Sequence, residues 1–315
     1  MKKTESFRGM MPILMTAIKP SGEVDEVSQR RQIRYCLDQG AVAIGHFGFA
    51  SEFHKLCDYQ RTQLIEMIVD EVDGRVPTFL AVSSEGTHQA VNYAKEIKKR
   101  GGDIIMAMPP LMGHLSQDYV YEFYQAVSDA TDLPIIIQDA KKSAPYITAE
   151  LTVKMYDEIE NIHYIKAEGN DFLTKTKRII KLSEGRIPVI GGNGGQHMIH
   201  MMRHGVTSFM TGTEALWIHH AMVDAFLRGD EVLSAKIYYE QILPYWGIYD
   251  KFPEQLCKRM LHHHGVLDHA DVLQPLVHEP IDEVMSEEYD WVLKRIGYLQ
   301  HKLEVSEPRA AVSQG

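Results

Sequence analysis

From about residue 10 to residue 228, apolar runs alternate with segments whose apolar positions recur at i, i+3, i+4 and i+7. The runs at 11–17, 42–47, 78–82, 104–108, 135–138, 164–167, 189–190 and 208–210 are short and end in polar or glycine-containing loops, which predicts buried strands. The segments at 59–72, 87–99, 119–130 and 148–159 have the period of helices that bury one face. Thr87, Ser116 and Thr148 stand where N-caps belong, and Gly40, Gly101-Gly102 and Gly205 stand where a helix gives way to the next strand. Eight strands, each followed by a helix, predict a parallel (β/α)8 TIM barrel, an α/β fold. The alternative is a doubly wound sheet, but no Gly-x-Gly-x-x-Gly follows the first strand. Past Arg228-Gly229-Asp230 the alternation stops. Helical periodicity continues at 232–245, 253–264 and 287–302, with proline and histidine loops between. The expected organisation is therefore a barrel over 1–228, a C-terminal helical extension over 229–302 packed on it, and a fraying polar tail over 303–315.

Composition narrows the partners. The chain has 315 residues, 44% hydrophobic and 24% charged, within the ordinary globular range. A formal charge of -10 argues against nucleic acid or an anionic membrane as the main partner. No apolar stretch approaches the roughly 20 residues that span a bilayer, and Met1-Lys2-Lys3-Thr4-Glu5-Ser6 does not lead into a signal-peptide core. Three scattered cysteines, Cys36, Cys57 and Cys257, predict reduced thiols and a cytoplasmic protein. The 16 histidines include adjacent pairs on predicted helices, where neighbours diverge by about 100° and do not share a metal. No Cys-x-x-Cys is present, and surface or packing roles are expected rather than a metal site.

The candidate chemistry lies at the strand ends. Lys166 closes the apolar run Ile162-His163-Tyr164-Ile165, a place hard to explain as solvated surface. A dry environment disfavours an ammonium, and a neutral amine attacks a carbonyl to form a Schiff base. The competing explanation is a lysine that leaves the strand end to pair with Glu168. In a barrel, chemistry collects at the C-terminal ends of the strands. Lys166 there meets Gln138 and Asp139 from strand five, Ser51 and Glu52 after strand two, and Thr16 from strand one, which favours the catalytic reading.

A set of motifs stands along the chain: Met11-Pro12-Ile13-Leu14 with Thr16, Gly48-Phe49-Ala50-Ser51-Glu52, Met108-Pro109-Pro110, Leu133-Pro134-Ile135-Ile136-Ile137, Ile165-Lys166 and Gly191-Gly192-Asn193-Gly194. In this order and spacing they resemble the class I Schiff-base lyases, the family of dihydrodipicolinate synthase and N-acetylneuraminate lyase. The resemblance implies an imine between Lys166 and the ketone of a 2-oxo acid, no cofactor and no metal, and a homo-oligomer, tetramer or dimer. It also shows departures. Two threonines of the second loop are Phe49 and Ala50 here, and the tyrosine ending strand five is Gln138. The tyrosine reaching across a subunit interface falls near Leu111 or Met112, and Lys141-Lys142-Ser143 stands where an arginine binds the second substrate. A lysine does not replace the planar fork of an arginine. True dihydrodipicolinate synthesis is therefore not expected.

The altered pattern is similar to the L-2-keto-3-deoxyarabonate dehydratase subgroup, through Ser51-Glu52, Ile105-Met106-Ala107-Met108-Pro109-Pro110, Gln138-Asp139-Ala140, Lys166-x-Glu168 and Met210-Thr211-Gly212. Two residues apart on a strand, Lys166 and Glu168 point to the same side. The reading is a dehydration of a 2-keto-3-deoxy sugar acid, with Lys166 as nucleophile and Glu168 as base. Ser51 and the N–H groups of its loop are assigned to the substrate carboxylate, and Gln138 and Asp139 to a hydroxyl or to the lysine. Asn193 lines the far wall, and Thr16 packs at the barrel floor near Lys166, where it orders the amine. The acidic loop of those dehydratases after strand seven is Gly191-Gly192-Asn193-Gly194-Gly195 here. Close backbone approach explains that cluster better than a phosphate cradle. Glu214 either restores a carboxylate or caps the next helix. The alternatives are an aldolase that releases pyruvate and a non-catalytic barrel that binds a 2-oxo acid.

Overall fold

A computed structural model describes residues 6–112, 115–140, 147–169, 171–250, 253–276 and 280–306, with side chains as far as Ile296. Eight strands run parallel: β1 (Gly9–Met10), β2 (Ile44–His46), β3 (Thr78–Ala81), β4 (Ile104–Ala107), β5 (Ile135–Asp139), β6 (Ile162–Ala167), β7 (Val189–Gly191) and β8 (Ser208–Phe209). From β2 to β8 each pairs with its neighbour in chain order, and β8 also pairs with β1. Hydrogen bonds from Leu14 N to Gly45 O (2.8 Å) and from Gly45 N to Pro12 O (2.9 Å) join the segment after β1 to β2 and close the barrel. The expected first strand, 11–17, is thus displaced. Pro12 has no N–H to give a ladder, so regular pairing ends at Met10 and resumes only as bridges from Ile13 to Gly45 and Gly212.

Two glycines let the barrel interior fill. A Cβ on Gly45 would lie 2.0 Å from the Phe79 ring, and one on Gly191 would lie 2.3 Å from Phe209. These two buried aromatics occupy the space the glycines leave, so the barrel is packed rather than hollow.

The outer ring comprises α1 (Glu26–Asp38), α2 (Asp58–Val72), α3 (Thr87–Lys99), α4 (Gln117–Asp129), α5 (Ala149–Glu158), α6 (Phe172–Leu182), α7 (Met198–Met202) and α8 (Leu216–Leu227). Ser116 and Thr148 cap α4 and α5, accepting from Tyr119 N and Leu151 N. Thr87 is instead the first helical residue of α3, and Gly86 takes the cap position. The extension continues as α9 (Glu231–Ile237), a π-helical turn (Tyr238–Ile242), α10 (Leu243–Tyr249), α11 (Pro253–His263) and α12 (Glu283–Ser306). The helix that ends the chain's described part runs beyond 302, so the expected tail begins later than 303.

Candidate active site

A cavity of about 380 Å³ opens at the C-terminal ends of the strands, and Lys166 lies in its wall with only 4% of its surface exposed. Register explains its neighbours. Lys166 pairs with Gln138 on β5 and with Ile190 on β7, so the amide and the amine occupy adjacent strands at one level. Glu168, just past the end of β6, returns to the same side, and its Oε2 is 3.0 Å from Lys166 Nζ. Gln138 Nε2 donates to the same oxygen at 3.2 Å. Asn193 N donates to Oε1 at 2.6 Å. Three donors from β5, β6 and the loop after β7 thereby fix the carboxylate, and a carboxylate so placed can take a proton from the amine or from a bound molecule.

The glycine loop after β7 makes this possible. A Cβ on Gly192 would lie 2.3 Å from Glu168 Oε1, so only glycine leaves room for the carboxylate. Asn193 lines the cavity as expected, but it reaches Glu168 through its main chain, while its side chain donates to Gln196 Oε1 at 2.8 Å. Its φ of 55° and that of Gly194, 59°, turn the loop back on itself.

Four expected contacts do not line the cavity. Thr16 donates to Ser51 O at 2.5 Å, below the cavity wall. The Ser51 hydroxyl is fully buried and donates to Leu14 O at 2.6 Å, so Phe49 and Ala50 face the cavity in its place. Glu52, at φ 56°, turns away to Lys55 (2.9 Å), Lys258 (2.7 Å) and the Leu273 N–H (2.9 Å). Asp139 follows Gln138 by one residue and so faces outward. It binds Lys175 of α6 at 2.6 Å and accepts from Ile147 N at 3.2 Å, and burial pushes its carboxyl up against the opposing pull of Lys175. Glu214 is neither a cavity group nor a cap. It lies behind Gly212, buried, and accepts from the Tyr245 hydroxyl at 2.9 Å, and α8 begins only at Leu216. Burial raises its carboxyl above the usual range. Lys141-Lys142-Ser143 lies outside the described residues.

The extension contributes what the sequence did not reveal. Trp246 and Tyr249 of α10, with Asp250 and Glu254, form the outer wall. Trp246 Nε1 donates to Gly194 O at 3.2 Å, which fastens α10 to the glycine loop. The aromatic spacing Tyr245-Trp246-Tyr249 was a visible signal for a packed helix face, but not for the surface it covers. Among the described residues no group of three or more His, Cys, Asp or Glu side chains is arranged to hold a metal ion, and none of the described helices is long and apolar enough to cross a membrane.

Known proteins share this plan. The chain is 31% identical over 215 residues to the L-2-keto-3-deoxyarabonate dehydratase of Azospirillum brasilense, covering 66% of this chain and 69% of that protein. It is 27% identical over 235 residues to the 4-hydroxy-tetrahydrodipicolinate synthase of Psychrobacter sp. (strain PRwf-1), covering 74% and 77%. The solved structure of the 4-hydroxy-tetrahydrodipicolinate synthase from Methylacidiphilum fumariolicum SolV superposes with a TM-score of 0.87 at 18% identity, over 95% of this chain and 98% of that one. A prophage protein of the dihydrodipicolinic acid synthase family from E. coli K12, in complex with pyruvate, superposes with a TM-score of 0.84 at 20% identity, over 92% and 99%. Those two likenesses speak for the fold. The family itself, the dihydrodipicolinate synthetase family, matches residues 6–296. With nearly the whole chain inside that match, this protein belongs to the dihydrodipicolinate synthetase family, a family of lyases.

Proposed function

We propose that the protein is a lysine-imine lyase that dehydrates a 2-keto-3-deoxy sugar acid such as L-2-keto-3-deoxyarabonate. The observation that carries this reading is the buried Lys166–Glu168 pair at 3.0 Å, with Gln138 rather than a tyrosine beside it. Glu168 takes a proton from the Lys166 amine, which then adds to the C2 carbonyl; Glu168 returns that proton to the carbinolamine hydroxyl, and loss of water gives the protonated imine and a free carboxylate. The protonated imine withdraws electrons from C3, and Glu168 removes a C3 proton to form an enamine. The enamine electrons then expel the C4 hydroxyl as water; a proton shift from C5 to C3 converts the C5 alcohol, through its enol, to the aldehyde, and hydrolysis of the imine releases the semialdehyde and the Lys166 amine. Phe49 and Ala50 line the cavity where Ser51 does not, and the main chain of their loop is assigned to the substrate carboxylate. Similarity to the Azospirillum dehydratase supports the choice of substrate.

Borohydride reduction in the presence of L-2-keto-3-deoxyarabonate or pyruvate, followed by peptide mass analysis, is expected to label Lys166. Product analysis on the same pentonate is expected to give 2-oxoglutarate semialdehyde. Labelling without that product, with pyruvate released instead, would assign an aldolase; no label at all would remove the imine reading.

Gly192→Ala tests the base separately. The added Cβ displaces the Glu168 carboxylate, so turnover is expected to fall by about 10²-fold or more, the scale of general base catalysis. Borohydride labelling of Lys166 should persist. Unchanged turnover would mean that Glu168 does not act from the position it holds.

A further inference from the structure

An elimination needs two proton transfers, one from C3 and one to the departing oxygen. Glu168 serves the first, but it is already tied to Lys166, Gln138 Nε2 and Asn193 N. The other donors of the cavity wall are also committed. Asn193 Nδ2 bonds Gln196 Oε1, Thr211 Oγ1 bonds Gly212 O, and Trp246 Nε1 bonds Gly194 O. Tyr249 differs. It lines the cavity, its ring packs on Trp246 and Tyr245 with centroids 5.6 and 5.5 Å apart, and its hydroxyl has no hydrogen-bond partner among the described residues. Tyr249 is half-buried, and a phenol with one face packed on other rings and its hydroxyl uncommitted beside a cavity is placed for a ligand.

Successive residues of the loop after β7 touch Glu168 and Tyr249. Asn193 N holds Glu168, and the next residue, Gly194, backs the Tyr249 ring so closely that a Cβ there would lie 2.9 Å from Tyr249 Cε1. For a chain attached to Lys166 through C2, Glu168 is the group beside the amine and Tyr249 the phenol on the next step of the loop. Burial, then the negative neighbours Cys257, Glu214, Glu254 and Glu168, push the phenol well above its usual range and keep it protonated.

Resting on the dehydratase reading, we propose that Tyr249 is the catalytic acid that protonates the C4 hydroxyl as it leaves, a group supplied by the C-terminal extension rather than by the barrel. The C3–H proton passes to Glu168 and its electron pair forms the enamine. That pair then becomes the C3–C4 double bond as C4–O breaks. The Tyr249 proton joins the departing oxygen to give water. The proton held by Glu168 returns to the phenolate, which restores both groups.

The test is Tyr249→Phe on L-2-keto-3-deoxyarabonate and on its analogue with fluorine in place of the C4 hydroxyl. On the natural leaving group turnover is expected to fall by about 10²–10³-fold. Borohydride labelling of Lys166 and exchange of the C3 protons in deuterated water should continue. Fluoride leaves without needing a proton, so the variant should process the analogue within a few-fold of the unmodified protein. Turnover within threefold on the hydroxyl substrate, or equal losses on both substrates, would overturn the role of Tyr249. Failure of the unmodified protein to label at Lys166 would instead overturn the dehydratase reading beneath it.

Discussion

Lys166→Met is expected to lower turnover on the order of 10⁶-fold, the scale seen when a covalent nucleophile is removed, and to abolish borohydride labelling altogether. Methionine keeps the length and the apolar stem of lysine inside the wall where Lys166 is 4% exposed, so packing changes little. What disappears is the nitrogen that becomes the electron sink. Without it the C3 protons are those of a simple ketone, and Glu168 is too weak a base for them. Lys166→Arg should be equally inactive, because a guanidinium stays protonated and does not add to a carbonyl. Glu168→Gln draws the contrast. It retains the amine and the label but loses the base, with turnover falling by about 10²–10⁴-fold. Steady-state rates and labelling, measured together on the three variants, separate nucleophile from base. Activity within tenfold of the unmodified protein in Lys166→Met would place the chemistry on another residue.

The pair at the centre of this argument was legible because its spacing obeys strand geometry: residues 166 and 168 share a side. The same rule, applied to Gln138 and Asp139, separates them, and the structure turns Asp139 out to Lys175. That misplacement arose from treating two adjacent polar residues as one feature. Ser51 and Glu52 failed for a different reason. A short 3-10 turn over Phe49–Ser51 followed by a left-handed residue rotates both side chains inward, and no periodicity announces such a turn. The eight strands were readable from apolar runs, yet the first was shifted by the missing N–H of Pro12. Tyr249 lay beyond reach altogether. Helical period identifies a face that will be covered, whereas the docking of α10 across the cavity uses an indole bond to Gly194 O and a phenol bond to Glu214, both to residues distant in the chain.

A buried ion pair of the extension gives the largest expected effect on stability. Lys258 of α11 and Glu52 are both 0% exposed and lie 2.7 Å apart, with Lys258 also donating to Asp271 O at 2.8 Å. Burial pushes the Lys258 ammonium below its usual range while Glu52 pulls it back up. A pair of this kind adds little over an apolar pair of the same volume, but removing one member strands the other charge away from water at about 3–5 kcal/mol. Lys258→Met is therefore expected to lower the melting temperature on the order of 10 °C. Lys55, whose side chain is only 7% exposed, and the Leu273 N–H remain on Glu52 and soften the loss, which places the expected effect at the lower end of that range. Adding Glu52→Gln removes the stranded charge, so the double variant should melt above Lys258→Met alone, a non-additivity that a double-mutant cycle measures directly. Because α11 follows the helix that carries Trp246 and Tyr249 to the cavity, Lys258→Met should also lose turnover at temperatures well below its melting point. A variant that melts within about 2 °C of the unmodified protein would show that the extension is held to the barrel by its apolar contacts rather than by this pair.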